Sequence, residues 1–514
     1  MKFRDIETSS NKNLYLIALS VVVGITAGFL ASLYRFALEK AEWIGRFSYG
    51  KVAQHPLLLF GVIPVVLGLV LIITFLMKKF PMSSGSGIPQ VKGQLQGAFQ
   101  SNWLTTAFAK FIAGTLAMLG GLSLGREGPS VQLGASMGQM IGEKMAQTER
   151  HRRILMASGA SAGLSAAFNA PLSGVMFTLE EVFKYFSPLI LLTCMTSAIV
   201  ADAISQLIFG TSAVFHFVVK GTIALQDYWL LIVLGILLGI FGALYNRTLL
   251  AGQKWMKQIP NVSVRVLISF ASAGMMAILF PLVIGSGHTL MDRLTFGWSL
   301  GFLCLIFLAK FFISMISYVS GVPGGIFFPL LVLGASLGAI FATLAISTFH
   351  LPEIWFANFV ILAMAGTFTA IVRAPMTGIL LLVEMTGSFS HLLPLALVSL
   401  VAYVVADLLK SEPIYDSLLQ KMLSEQDDEK SEETGQLMME AIVQFDSKAE
   451  NKTLSKLPLP KDCLVVSIHR AGKELIPNGE TELLAGDYVT VMMSRKTEQK
   501  TRVQIQKLLM EKEN

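Results

Sequence analysis

GREGPSVQLGAS (Gly125 to Ser136) and GIFFPLLVLGAS (Gly325 to Ser336) decide the fold of this 514-residue chain. LGAS at Leu133–Ser136 returns as Leu333–Ser336, an offset of 200, and Pro129 returns as Pro329. In the same register GSG recurs (Gly85–Gly87 and Gly285–Gly287), as does AKF (Ala109–Phe111 and Ala309–Phe311). Further on, NAPLSGVMFTLEEV from Asn169 aligns with RAPMTGILLLVEMT from Arg373, the offset having grown to 204. Matches in one register over so much chain require two structurally equivalent halves, about 13–220 and 221–421.

Composition says where those halves sit. Hydrophobic residues make up 53% and charged residues 14%, against ~25% charged in a soluble domain; mean hydropathy is +0.63. Such a chain cannot clothe itself for water, which sets aside ordinary soluble enzymes and disordered proteins. The net charge of +6 is too modest and scattered for nucleic-acid binding, and basic ends facing the cytoplasm explain it better. Cys194, Cys304 and Cys463 are odd in number and far apart, so no disulfide framework is expected.

After a short polar start (residues 1–12), the apolar run Leu14 to Ala37 lacks a small-residue cleavage site and reads as an anchored helix, not a signal peptide. The runs Leu57–Met77, Leu189–Leu207, Tyr228–Leu250 and Leu300–Val319 approach the ~20 residues a bilayer requires. Gly128–Ile141, Pro171–Glu181 and Pro329–Ala342 read as short or broken segments. Broken segments at membrane depth survive only when buried in protein or lining a cavity, so the pattern points to a transporter or channel. Repeat-built transporters bind substrate at the repeat interface with the N-termini of discontinuous helices, and those termini favour anions. The glycine-opened helix starts GSGIP, GREGP and GGIFFP suit that role, since glycine admits a ligand to the backbone and Pro fits a first turn. No carboxylate cluster is present to cage a cation, and no metal site is expected.

With these stretches, GSGIPQ (Gly85 to Gln90), GREGP (Gly125 to Pro129), GGIFFP (Gly324 to Pro329), FNAPLSGVMFTLEE (Phe168 to Glu181) and Tyr415, the chain resembles the CLC family of chloride channels and proton-coupled chloride transporters over about Asn13 to Lys421. The resemblance implies an all-α polytopic inverted-repeat fold of about 18 helical segments. It also implies a homodimer with one pore per subunit, in the plasma membrane, with both termini cytoplasmic.

Carried over by position, the resemblance makes chloride the transported ligand. Ser86 supplies a hydroxyl, Tyr415 a phenol, and Ile326 and Phe327 backbone N–H groups; Gly85, Gly87, Arg126 and Gly128 mark helix N-termini along the anion path. Neutral donors suit conduction, which needs weak, multi-site binding. Taken alone, Ser86 also reads as an N-cap and Tyr415 as an interfacial aromatic. Glu127 is the gate and external proton glutamate; as a bare residue it also reads as a cap paired with Arg126. Its counterpart 200 residues on is Phe327, so the fold does not demand an acid there. Glu180 matches Glu384 across the repeat and reads as structural, whereas Glu181 matches Met385. The resemblance makes Glu181 the internal proton glutamate, with a solvated or paired helix-end carboxylate as the bland reading. Having both Ser86 and Tyr415 points to chloride over nitrate or fluoride. Lys310 reads as internally paired with a carboxylate, and Lys110 either as paired or as raising local anion potential.

SEQDDEKSEET (Ser424 to Thr434) reads as part of an acidic linker, 422–435, before a small cytosolic α+β domain over 436–514. Strands are expected at Cys463–Arg470 and Tyr488–Met493, a turn at Gly486-Asp487 and a helix at Thr497–Met510. About Glu440 to Leu509 resembles the TrkA-C domain of potassium transporters, on Ile468, Arg470, Gly472, Ile476, Pro477, Leu483, Gly486 and Asp487. Such domains dimerise and some bind cyclic di-AMP between protomers, which implies nucleotide regulation; a silent dimerisation module is the plainer reading.

The expectation is therefore secondary active proton/chloride exchange with no resident cofactor. Two alternatives stay open: a passive gated chloride channel, and a membrane-bound nucleotide sensor with a vestigial pore. An enzyme is not expected, because His288 and His391 are isolated and no nucleophile–base pair is evident.

Overall fold

The computed structural model describes residues 3–211, 223–429, 436–461, 463–470, 473–494 and 497–511. Two compact units emerge: Asn13–Val91 with Ser101–Asp416, and Met1–Lys12, Lys92–Gln100 and Ser417–Asn514.

The first half contributes α1 (Phe3–Gln54), α2 (Leu59–Lys79), α3 (Ile88–Leu95), α4 (Trp103–Leu119), α5 (Glu127–Met145), α6 (Glu149–Phe168), α7 (Pro171–Phe177) and α8 (Pro188–Phe209). The second contributes α9 (Tyr228–Lys257), α10 (Val262–Leu279), α11 (His288–Arg293), α12 (Leu300–Val319), α13 (Phe327–Phe349), α14 (Phe356–Val372), α15 (Pro375–Thr386) and α16 (Leu392–Leu408). Each helix of the first half has a counterpart in the second; α17 (Ile414–Glu429) has none among the described residues. Eight of the described helices are long and apolar enough to cross a bilayer.

Local chemistry sets the helix starts. Asn102 caps α4 through Leu104 N–H and Thr105 N–H (3.0 and 3.2 Å), Thr148 caps α6, Asn261 α10 and Ser299 α12. Proline opens α7, α8 and α15.

Three expectations change. The N-terminal helix continues past Ala37 to Gln54: no proline intervenes before Pro56, and the i,i+4 pairs Arg35–Glu39 and Arg46–Glu42 carry it beyond the apolar run. Pro329–Ala342 belongs to a continuous 23-residue helix, not a broken segment. Its glycines are packing surfaces: a Cβ on Gly338 would lie 2.7 Å from Val360 Cα on α14. The stretch read as a linker is helical as far as Glu429, since Glu, Gln and Lys are good helix formers whatever their charge; 430–435 lie outside the described residues.

A two-fold relation between the halves is written in hydrogen bonds. Gly125 N–H donates to Gly325 O (2.7 Å) and Gly325 N–H to Gly125 O (2.8 Å). Gly85 N–H donates to Gly321 O (2.9 Å), and its counterpart Gly285 N–H to Gly121 O (3.1 Å). Within each half, close helix contact fixes the helix that follows the paired glycine. Gly134 and Gly159 bring α5 and α6 together so tightly that a Cβ on either would lie 2.1 Å from the other's carbonyl oxygen. The most enclosed long span is Glu353–Val372, 83% buried, while Pro56–Lys79 is only 17% buried and leaves an apolar surface for lipid.

The second unit contains a four-stranded antiparallel sheet of β1 (Gln436–Ile442), β2 (Cys463–Arg470), β3 (Lys473–Leu475) and β4 (Tyr488–Ser494), in the order β1-β4-β2-β3, with helix α18 (Glu498–Met510). Val489, Val491 and Met493 alternate into a core with Met439, Ile468, Leu483, Ile505 and Leu509. β1 and β3 escaped the sequence reading, β3 because it is three residues long. Arg470 and Asp487 form a bidentate pair (2.8 and 2.7 Å), and Asp487 also accepts from Leu484 N–H, closing the turn at Gly486. Gly472 lies outside the described residues.

Candidate anion site

Ser86 sits between two glycines in left-handed backbone, Gly85 at φ +61° and Gly87 at φ +99°, a shape that L side chains resist. The turn's own polar groups are occupied. Lys110 Nζ, fully buried, donates to Ser83 O (2.8 Å) and Gly85 O (2.7 Å). Gly87 N–H donates to Gln90 Oε1 and Gln90 Nε2 to Ser84 O. Gly324 N–H donates to Gly85 O, which ties the turn to the loop leading into α13. Ser86 Oγ alone is left over: it is buried and has no hydrogen-bond partner among the described residues. It faces α5, where a Cβ on Gly128 would lie 2.4 Å from it.

Glu127 opens α5 and is fully buried. Its Oε2 accepts from Phe328 N–H (3.3 Å) at the head of α13, and its Oε1 has no partner among the described residues. A carboxylate thus rests on the N-terminus of a 23-residue helix, where an anion is favoured. Ile326 and Phe327 form the N-cap and first residue of that helix, whose leading N–H groups have no partner within it. Arg126 does not pair with Glu127; it reaches Glu39 on α1 (3.0 Å). The capping pair expected as the bland reading is therefore absent, because Glu39 offers Arg126 a carboxylate in better reach than its own neighbour's.

Tyr415, in the first turn of α17, is buried and its hydroxyl has no partner among the described residues. The chain on either side of it is pinned: Asn246 Nδ2 donates to Glu412 O (3.0 Å), Arg373 to Ser411 O (2.8 Å), and Lys184 pairs with Asp416. The Tyr415 ring lies edge-on to Phe177 (6.3 Å), which is edge-on to Phe327 (5.9 Å). Tyr415 also lies close enough to Glu127 and Glu181 to feel both charges. Ser86, Glu127, Phe327 and Tyr415 are thus brought to one place. Tyr318, which the sequence reading missed, joins them: it is buried beside the Ser86 backbone. Its counterpart 200 residues earlier is Met118, so comparing the halves for odd polar residues would have found it.

Glu180 and Glu181 part company. Glu180 caps α15, accepting from Met376 N–H (3.2 Å), Thr377 N–H (2.8 Å) and Thr377 Oγ1 (2.8 Å). Glu384 returns the favour to α7, accepting from Leu172 N–H (2.9 Å), Ser173 N–H (2.8 Å) and Ser173 Oγ. This exchange of caps across the two-fold explains why both halves carry that acid. Glu181 lies in a π turn, Thr178–Val182, that prolongs α7, and it is buried. Such wide turns concentrate at functional positions. Lys310 holds backbone carbonyls (Val283 O at 2.9 Å, Gly285 O at 3.0 Å) and not the carboxylate expected for it, and Lys110 does the same in its half.

The family model described as "Voltage gated chloride channel" matches residues 69–407, and that of the TrkA-C domain matches 438–505. The H(+)/Cl(-) exchange transporter ClcA of Vibrio parahaemolyticus is 36% identical over 424 residues, 79% of this chain and 90% of that protein. ClcA of Klebsiella pneumoniae (strain 342) is 33% identical over 428 residues, 80% of this chain and 90% of that protein. A crystal structure of a slow cyanobacterial Cl-/H+ antiporter superposes with a TM-score of 0.75 at 33% identity, covering 80% of this chain and 99% of that one.

Proposed function

The chain belongs to the voltage-gated chloride channel (CLC) family, a multi-pass membrane family, and on that premise we propose that it exchanges chloride for protons. The observation that carries the reading is Glu127: an acid resting on Phe328 N–H, beside the unpartnered hydroxyl of Ser86. Charged, Glu127 holds the anion's seat on α13. Protonated, it loses its attraction to the helix terminus and yields that seat to chloride. Chloride is received by Ser86 Oγ, Tyr415 OH and the N–H groups of Ile326 and Phe327, none of which carries a full positive charge that would trap it. Gly85, Gly87 and Gly128 let the backbone approach the ion, and Arg126, held by Glu39, sets a positive field beside the path. Glu181 passes the proton between Glu127 and the cytoplasm by a route separate from the chloride path, and its presence favours exchange over passive conduction.

The protein works as a homodimer in the plasma membrane with both termini in the cytoplasm, and its TrkA-C domain regulates transport. Cyclic di-AMP is the ligand to try first, and absence of heat on titrating it into the whole protein would remove that ligand. Exchange itself is tested in proteoliposomes with chloride flux and pH recorded together. A chloride gradient should drive protons uphill. A reversal potential indifferent to an imposed pH gradient would leave only the channel reading.

A further inference from the structure

Under the two-fold, the Ser86 turn has a twin at Gly285–Gly287. Its glycines hold the same left-handed backbone, φ +66° and +108°. Lys310 grips Val283 O and Gly285 O as Lys110 grips Ser83 O and Gly85 O. One thing differs. Ser86 Oγ has no partner among the described residues, whereas Ser286 Oγ donates to Glu42 Oε2 (2.7 Å), and Ser286 N–H reaches the same oxygen at 3.4 Å. Glu42 belongs to α1. Its other oxygen accepts from Arg46 Nε (3.1 Å) and Nη2 (3.0 Å), and Arg46 is anchored to Pro281 O (2.9 Å) and Ile284 O (2.6 Å).

Basic side chains gather around this turn. Arg35, Arg46, Arg126 and Lys310 all act on His288, which stacks on Phe328 (4.0 Å). The carboxylates paired with these cations are Glu39, bound by Arg35 and Arg126, and Glu42. Removing Glu42 would leave Arg46 and Lys310 facing a space of carboxylate size lined by Ser286 Oγ and N–H. The Glu42 side chain keeps 15% of its surface exposed, so the space has a way in.

We propose that the Gly285–Gly287 turn is a second anion-binding site, for a small monovalent inorganic anion such as a halide, whose resident ligand is the protein's own Glu42 carboxylate. Duplication built two cradles of one shape. One is left for the transported ion; the other is filled by a tethered carboxylate and does not conduct. The inference rests on the reading of Ser86 as an anion ligand, and the experiment separates the two.

Crystals of the full-length protein grown in bromide, measured at the bromine edge, should show bromide at Ser86 in the parent protein and at both Ser86 and Ser286 in Glu42→Ala. Bromide at Ser86 but not at Ser286 in E42A overturns this inference and reduces Glu42 to a strut between α1 and the turn. Absence of bromide at Ser86 both in the parent protein and in Glu127→Ala would instead overturn the transport-site reading and this inference with it. The second measurement uses detergent-solubilised E42A, or Glu42→Ser if E42A does not fold. Acetate, replacing the lost carboxylate, should raise the variant's Tm in a concentration-dependent way and leave the parent's unchanged. Equal responses of the two proteins to acetate overturn the proposal.

Discussion

Replacing Glu127 by Ala removes the acid that competes with chloride for the head of α13. The structure sets the size of the effect. Glu127 makes one charge-assisted hydrogen bond, to Phe328 N–H, and at 3.3 Å it is a long one, so the lower end of the range, ~1.5 kcal/mol, applies. Its charge at the N-terminus of α13 adds ~1 kcal/mol. Together these make the tethered carboxylate a competitor worth about 2.5 kcal/mol, and at ~1.4 kcal/mol per decade chloride should bind E127A roughly 60-fold more tightly than the parent protein at a pH where Glu127 is charged. Linkage fixes the sign of the pH dependence: if protonation vacates the seat, chloride binding takes up a proton, so the parent protein's affinity must rise as pH falls. E127A should show no such rise. Isothermal titration of chloride into both proteins in detergent, at several pH values, measures this directly, and vesicle flux should show anion movement without proton movement. A folded, monodisperse E127A whose chloride affinity lies within threefold of the parent's at every pH would refute the idea that the carboxylate and chloride compete for one place.

Three further expectations follow the same geometry. Glu181→Gln should stop proton transport in vesicles while chloride still moves; proton flux surviving this change would place the inner route elsewhere. Ser86→Ala deletes one neutral donor from a turn held by other bonds, so chloride affinity should fall by ~1 kcal/mol, about fivefold, with Tm unchanged; a large loss of Tm would make Ser86 a structural residue. Glu180→Ala and Glu384→Ala each remove a helix cap reciprocated across the two-fold, and each should cost ~1–2 kcal/mol of stability, seen as similar drops in Tm, with proton coupling kept in whatever protein folds. A loss of coupling at normal Tm in Glu180→Ala would move the proton route onto Glu180.

Much of this was legible in the chain because duplication leaves an arithmetic trace. The offsets of 200 and 204 paired α5 with α13 and the Glu180 region of α7 with α15 before any coordinates. The same arithmetic picked out Glu127 and Glu181 by their lack of an acidic twin. Hydropathy was a poorer guide to length. The α1 helix outran its apolar core on ion pairs, and the glycines of α13 looked like breaks although they are contact surfaces.

The sequence by itself determined that there are two membrane-embedded halves with glycine-led helix starts, because repetition, apolar content and left-handed turns are properties of residues near one another in the chain. Tertiary structure alone decided who partners whom: across the two-fold, Glu180 with Thr377, Glu384 with Ser173 and Glu42 with Ser286; within the first half, Arg126 with Glu39 and not Glu127. A buried charge or hydroxyl takes whichever partner packing brings within about 3 Å. The residue that wins is set by how the helices pack, which spacing along the chain does not encode.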